Sequence, residues 1–107
     1  MPDAELRDHL LATLAPLGLR VRPMFGGYGL WLGDRYFGII NGGHAWFRTD
    51  AASRPDYLGR GMPAFQPPNR PRGPKTVDRT FRVPDDVLED ASLLTEWALR
   101  AAARERE

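Results

Sequence analysis

The stretch Val21-Arg22-Pro23-Met24-Phe25-Gly26-Gly27-Tyr28-Gly29-Leu30-Trp31-Leu32-Gly33 decides the fold. Its outer thirds read as the two arms of a β-hairpin and its middle as a glycine corner. Val21 and Phe25 share one strand face, and Arg22 and Met24 lie on the other. Arg22 and Met24 are therefore the residues expected to offer a sheet-surface contact. A residue without Cβ takes positive φ or lets another backbone come close, so Gly26, Gly27 and Gly29 read as a bend or bulge. Leu30-Trp31-Leu32 resumes an apolar strand that runs into Gly33-Asp34, a tight-turn pair. This hairpin sets the first strand pairing, and later elements must pack on it.

On its N-terminal side, Asp3 to Leu17 reads as a helix. Leu6, Leu10, Leu14 and Leu17 make one apolar stripe, with Asp3 as the expected N-cap and Pro16-Gly18 as the stop. On its C-terminal side, Arg35 to Ile40 is a third strand. Asn41-Gly42-Gly43 is a hairpin signal, and His44-Ala45-Trp46-Phe47-Arg48 is a further strand. Tyr36, Phe37, Trp46 and Phe47 cannot all face water, so helices must cover one side of the sheet. Asp50 can cap a short helix over Ala51 to Leu58. Residues 62–75 form a Pro- and Arg-rich stretch expected as an extended surface loop, with Phe65 its one large anchor. Lys75 to Val83 reads as the last strand. Pro84 opens a helix at its first position, with Asp85 and Asp86 in the first turn, and Asp90-Ala91-Ser92 starts the final helix.

The chain of 107 residues supports one domain with one core. It has no cysteine, which excludes disulfides, thiolate metal sites and cysteine nucleophiles. No apolar run approaches the ~20 residues that span a bilayer, and the acidic N-terminus does not read as a signal peptide, so a soluble cytoplasmic protein is expected. Net charge is +1, too small to argue for a polyanionic partner by itself. The distribution is uneven: Arg54 to Arg82 holds seven basic and two acidic residues, and the remainder carries a net −4.

That stretch supplies one candidate binding set, Arg60, Arg70, Arg72, Lys75, Arg79 and Arg82, suited to phosphates or an acidic partner. The bland reading is a solvated loop in an arginine-biased chain, since fourteen of the fifteen basic residues are arginine. Gly26-Gly27-Tyr28-Gly29 has neither P-loop nor dinucleotide spacing, so a structural corner is the better reading. His9 and His44 lack partners at metal-ligand spacing, and no metal or cofactor is expected. Ser53 and Ser92 read as helix-start residues, not nucleophiles. Asp85, Asp86, Glu89 and Asp90 have a complete capping explanation. Trp31, Trp46 and Trp97 are most simply core, although an exposed one would serve as a partner anchor.

Taken together, Arg22-Pro23-Met24-Phe25-Gly26-Gly27-Tyr28-Gly29, Phe37-Gly38, Phe47-Arg48-Thr49-Asp50, Tyr57, Gly61-Met62-Pro63, Phe81-Arg82-Val83-Pro84 and Trp97-Ala98 resemble the N-terminal domain of TfoX/Sxy proteins. The resemblance runs from about Leu6 to about Ala103. It implies an α+β fold of order α-β-β-β-α-β-α, an antiparallel sheet with flanking helices similar to secretion-chaperone-like domains. In that motif Phe25, Gly26, Gly27, Gly29 and Pro84 are structural. It further implies transcriptional regulation of the kind bacterial competence regulators perform. Full-length relatives carry a second helical domain, and this sequence is expected to be a single domain over residues 1–107 without it. The leading expectation is a non-catalytic regulatory or protein-interaction module. Its partner would be a protein, the transcription machinery by resemblance, or a second copy. Direct nucleic-acid binding through Arg60 to Arg82 is the alternative, and an enzyme with an unrecognised site is a third reading.

Overall fold

The hairpin forms, and its corner is tighter than a bulge. A computed structural model describes residues 2–66 and 79–105. Strands β1 (Leu19–Met24) and β2 (Gly27–Leu32) pair antiparallel with Met24 opposite Gly27, which leaves Phe25 and Gly26 as the two turn residues. Both have positive φ, 54° and 78°, as a type I′ turn requires. Phe25 is therefore not on the face of Val21. It sits in left-handed conformation at the tip, 60% exposed, with its carbonyl accepting a hydrogen bond from Asn41 Nδ2 at 3.0 Å. A bulge does occur, one strand further on. β3 (Arg35–Asn41) pairs with β2 through Leu30–Gly38 and then Trp31–Tyr36, so Phe37 is skipped. The extra residue turns Phe37 inward while Tyr36 stays outward on Trp31.

β4 (His44–Arg48) and β5 (Thr80–Arg82) complete a five-stranded antiparallel sheet in the order β1-β2-β3-β4-β5. Four strands precede the first inter-strand helix, α2 (Arg54–Leu58), one more than the α-β-β-β-α-β-α order. The fourth is His44–Arg48, whose alternation had marked it as a strand. Of the expected Lys75–Val83 strand, the described residues form Thr80–Arg82; Arg70, Arg72 and Lys75 lie outside the described residues. Pro63 to Phe65 extends the sheet past β5: Phe65 N–H donates to Thr80 O at 2.8 Å and Arg82 N–H to Pro63 O at 3.0 Å.

One face of the sheet carries the core. α1 (Asp3–Thr13) presents Leu6 and Leu10 to it, followed by Leu14 and a 3₁₀ turn over Ala15–Leu17 that replaces the last part of the expected helix. α3 (Asp85–Leu88) and α4 (Ala91–Ala102) bring Val87, Leu94, Trp97 and Ala98. The sheet answers with Leu30, Phe37, Ile40, Phe47 and Phe81, and the Phe37 and Phe47 rings meet edge-on at 5.3 Å. Tyr57 of α2 closes this layer against Trp97 at 4.8 Å.

The caps differ in detail from the expected ones. Pro2 and Pro84 are the N-cap residues of α1 and α3, so Asp3 is already inside its helix. The Asp3 carboxylate accepts instead from Gly43 N–H at 2.6 Å and ties α1 to the β3–β4 turn. Asp90 caps α4 through Leu93 N–H at 3.0 Å. Asp50 accepts from the N–H groups of Ala52 and Ser53, and its other oxygen accepts from Glu105 N–H at 3.0 Å. The Ser53 and Glu105 amides hold its carboxyl below the ordinary value of 3.8. A depressed folded-state pKa contributes stability above the unfolded value, lost as pH falls through the folded one. Asp50→Asn should therefore melt with a shallower pH dependence than the parent below about pH 4, read from thermal melts across that range. Parallel acid limbs would remove Asp50 as a contributor.

Candidate functional site

No helix of the described residues packs on the opposite face of the sheet, and strand register places its side chains row by row. Arg22, Gly29, Ile39, Trp46 and Arg82 stand opposite one another in turn, forming one row across all five strands. Arg20, Trp31 and Tyr36 form a second row, which Arg48 joins with its guanidinium 5.6 Å from the Tyr36 ring centre. Arginines thus stand at the two ends of these rows, and rings occupy the middle.

The rings are held by the strands beneath them. A Cβ on Gly29 would lie 2.6 Å from the Trp31 ring and 3.2 Å from the Met24 methyl, so the indole lies over a position that only glycine leaves clear. Trp31 then meets Tyr36 at 5.4 Å. Trp46 donates its indole N–H to Asn41 O at 3.1 Å and packs against Phe65 at 5.2 Å and His44 at 6.0 Å. Ile39 is 3% exposed yet stands outside the main core cluster, in the row between Gly29 and Trp46. Trp31, Tyr36, Trp46 and Phe65 are half-buried.

The arginines of this face are not ion-paired within the described residues. Three arginines elsewhere meet carboxylates: Arg7 with Asp8 at 3.0 Å, Arg60 with Asp86, and Arg100 with Asp56 at 2.7 Å. Among the described residues, Arg20, Arg22, Arg48 and Arg82 have no carboxylate partner. The Nε atoms of Arg48 and Arg82 are buried without a hydrogen-bond partner. Burial, and next the Arg82 charge, push the His44 pKa below its ordinary value, so arginines supply the positive charge here at neutral pH. Burial raises the Tyr36 phenol, against the opposing pull of Arg48 and Arg104, so it stays a proton donor. Two clefts open beside the rings. One of about 230 Å³ lies among Arg20, Arg22, Trp31 and Asp34. The other, about 420 Å³, lies among Tyr36, Arg48, Arg79 and Arg104, with Asp34 and Glu105 also lining it.

The two candidate sets fare differently. Arg22 and Met24 are on the open face as alternation requires. The basic set is divided: Arg82 is on the open face and Arg79 lines the larger cleft, whereas Arg60 is bonded to Asp86 and lies 5.3 Å from the Trp97 ring. Of the three tryptophans, Trp97 alone is core; Trp31 and Trp46 are on the open face. The strand reading His44-Ala45-Trp46-Phe47-Arg48 already held that signal, since period two puts Trp46 with the polar pair and not with Phe47.

The groups weighed for chemistry are engaged in the fold. His9 donates from Nε2 to Leu88 O at 2.8 Å, and Ser53 Oγ accepts from Asp50 N–H at 3.1 Å. Among the described residues no three His, Asp or Glu side chains converge, and no helix is long and apolar enough to cross a membrane.

No curated protein matches the chain. The family model of the TfoX N-terminal domain matches residues 9–104, which span every strand of the sheet, α2, α3, α4 and the C-terminal part of α1. With the glycine corner, the five-stranded sheet and the Pro84 helix start all inside that match, the chain belongs to the TfoX N-terminal domain family.

Proposed function

We propose that this domain is a non-catalytic regulatory binding module whose working surface is the sheet face on which no helix of the described residues packs. The observation that carries this reading is the contrast in pairing. Arg7, Arg60 and Arg100 meet carboxylates, while Arg20, Arg22, Arg48 and Arg82 on the open face have none among the described residues. Clustered cations around half-buried rings leave charge and apolar surface for a partner to cover. Family membership and the resemblance to competence regulators support a regulatory setting. The structural engagement of His9 and Ser53 supports binding over nucleophilic catalysis.

The test is complementation. In a strain lacking the chain, the parent protein should restore the transcript profile, and Arg22→Glu combined with Arg82→Glu should not. The variant's melting temperature should stay within about 4 °C of the parent, as expected of substitutions worth less than ~1 kcal/mol. A variant that restores the profile would remove this face from the function. A deletion with an unchanged profile would overturn the regulatory reading itself.

A further inference from the structure

We infer that the ligand of the open sheet face is a single-stranded nucleic acid, its bases stacked on Trp31, Tyr36 and Trp46 and its phosphates held by Arg20, Arg22, Arg48 and Arg82. This rests on the open-face reading above and names the chemistry that face would recognise.

The face has two kinds of group in a fixed order. Rings occupy the central strands: Trp31 and Tyr36 in one row, Trp46 with Phe65 beside it in the next. Arginines stand outside them, Arg20 and Arg22 on β1, Arg48 and Arg82 on β4 and β5. Four strand spacings of about 4.8 Å put Arg22 and Arg82 roughly 19 Å apart. On a sheet of similar width, aromatic side chains stack about two or three unpaired bases while flanking cations take the backbone. The clefts beside Trp31 and Tyr36 add depth next to the ring pair, and in each the arginines outnumber the carboxylates, Asp34 in both and Glu105 in the larger.

Competing occupants fit only part of this surface. A duplex hides the faces of its bases in its own stack, so it would leave the rings unused, and a five-stranded sheet is too broad for a groove that admits a helix or a two-stranded ribbon. An acidic peptide would satisfy the arginines and leave the aromatic faces without a planar partner. A single strand offers both a charge at every phosphate and a flat π-face at every base, and every base offers that face whatever its identity.

The experiment is a titration of the whole protein with a short labelled oligonucleotide of mixed sequence, as DNA and as RNA. Fluorescence anisotropy reports binding, and tryptophan emission reports stacking, at low and at moderate salt. The single strand should bind at least about tenfold tighter than the matching duplex and quench tryptophan emission. Trp31→Ala and Trp46→Ala should each weaken it by about tenfold or more. Arg22→Ala with Arg82→Ala should weaken it and lower the salt slope by roughly one to two. Arg60→Ala, on the helical side, should leave it unchanged, and circular dichroism checks that each variant is folded. Equal or tighter duplex binding would overturn the inference. So would equal binding of a polyglutamate peptide, binding indifferent to the face variants, or no binding at low salt. If no oligonucleotide binds but the Arg22/Arg82 charge reversal still fails to complement, the open face stands and its ligand is a protein. If the reversal complements, both readings fall.

Discussion

Gly27→Ala lowers the stability of the domain by about 3 kcal/mol or more, a fall in melting temperature of roughly 10–20 °C, whereas Gly26→Ala next to it loses only about 1–2 kcal/mol. The two glycines are required for different reasons. Gly26 has φ 78°, but nothing lies within 4 Å of where its Cβ would be, so alanine meets only the backbone preference for negative φ. Gly27 is the first residue of β2, and a Cβ there would lie 1.9 Å from the Ile40 carbonyl oxygen and 3.0 Å from its carbon. That neighbour is backbone of the central strand and cannot rotate away. The β2–β3 pairing must open, and Leu30 opposite Gly38 and Tyr28 opposite Ile40 move with it. Thermal melts of the two variants side by side decide the point. Equal losses would mean that turn conformation alone matters and that the close approach is relieved at no cost.

The same corner shows what a linear reading can and cannot hold. Period two put Arg22 and Met24 on one face and marked the strands, because side-chain alternation is a property of the backbone alone. It also assigned Phe25 to the face of Val21, since nothing in a Phe-Gly-Gly run announces that the phenylalanine takes a turn position usually given to asparagine or aspartate. The skipped residue at Phe37 is invisible for the same reason. An inserted residue inverts the alternation after it, and only the pairing partner reveals the insertion. The sequence leaves Trp31 and Trp46 as core residues or exposed anchors, because their rows are completed by arginines that come from strands as much as 60 residues apart in sequence, Arg22 and Arg82. A row across a sheet is a tertiary object. The run Arg60 to Arg82 looked like one basic surface because it is contiguous in sequence, and the fold separates Arg60 on the helical side from Arg82 on the sheet.

Phe47→Ala costs about 4 kcal/mol, with a melting temperature more than about 15 °C below the parent, while Trp46→Ala one residue earlier costs about 1–2 kcal/mol. Both are large rings on β4, but they point to opposite faces. Phe47 has no exposed surface, stands opposite Phe81 and Gly38, and meets Phe37 edge-on. Its removal leaves a cavity in the layer between sheet and helices, where the neighbouring rings are fixed by their strands and cannot close in. Trp46 is half-buried, and its truncation loses the hydrogen bond to Asn41 O and the contact with Phe65, with water free to enter the space. The pair therefore separates what β4 does for folding from what it offers to a ligand: Phe47→Ala should fail in stability, and Trp46→Ala should fail in binding. If urea melts show Trp46→Ala losing as much as Phe47→Ala, the outer face is a second core, and a surface already committed to folding cannot also be the surface that receives a partner.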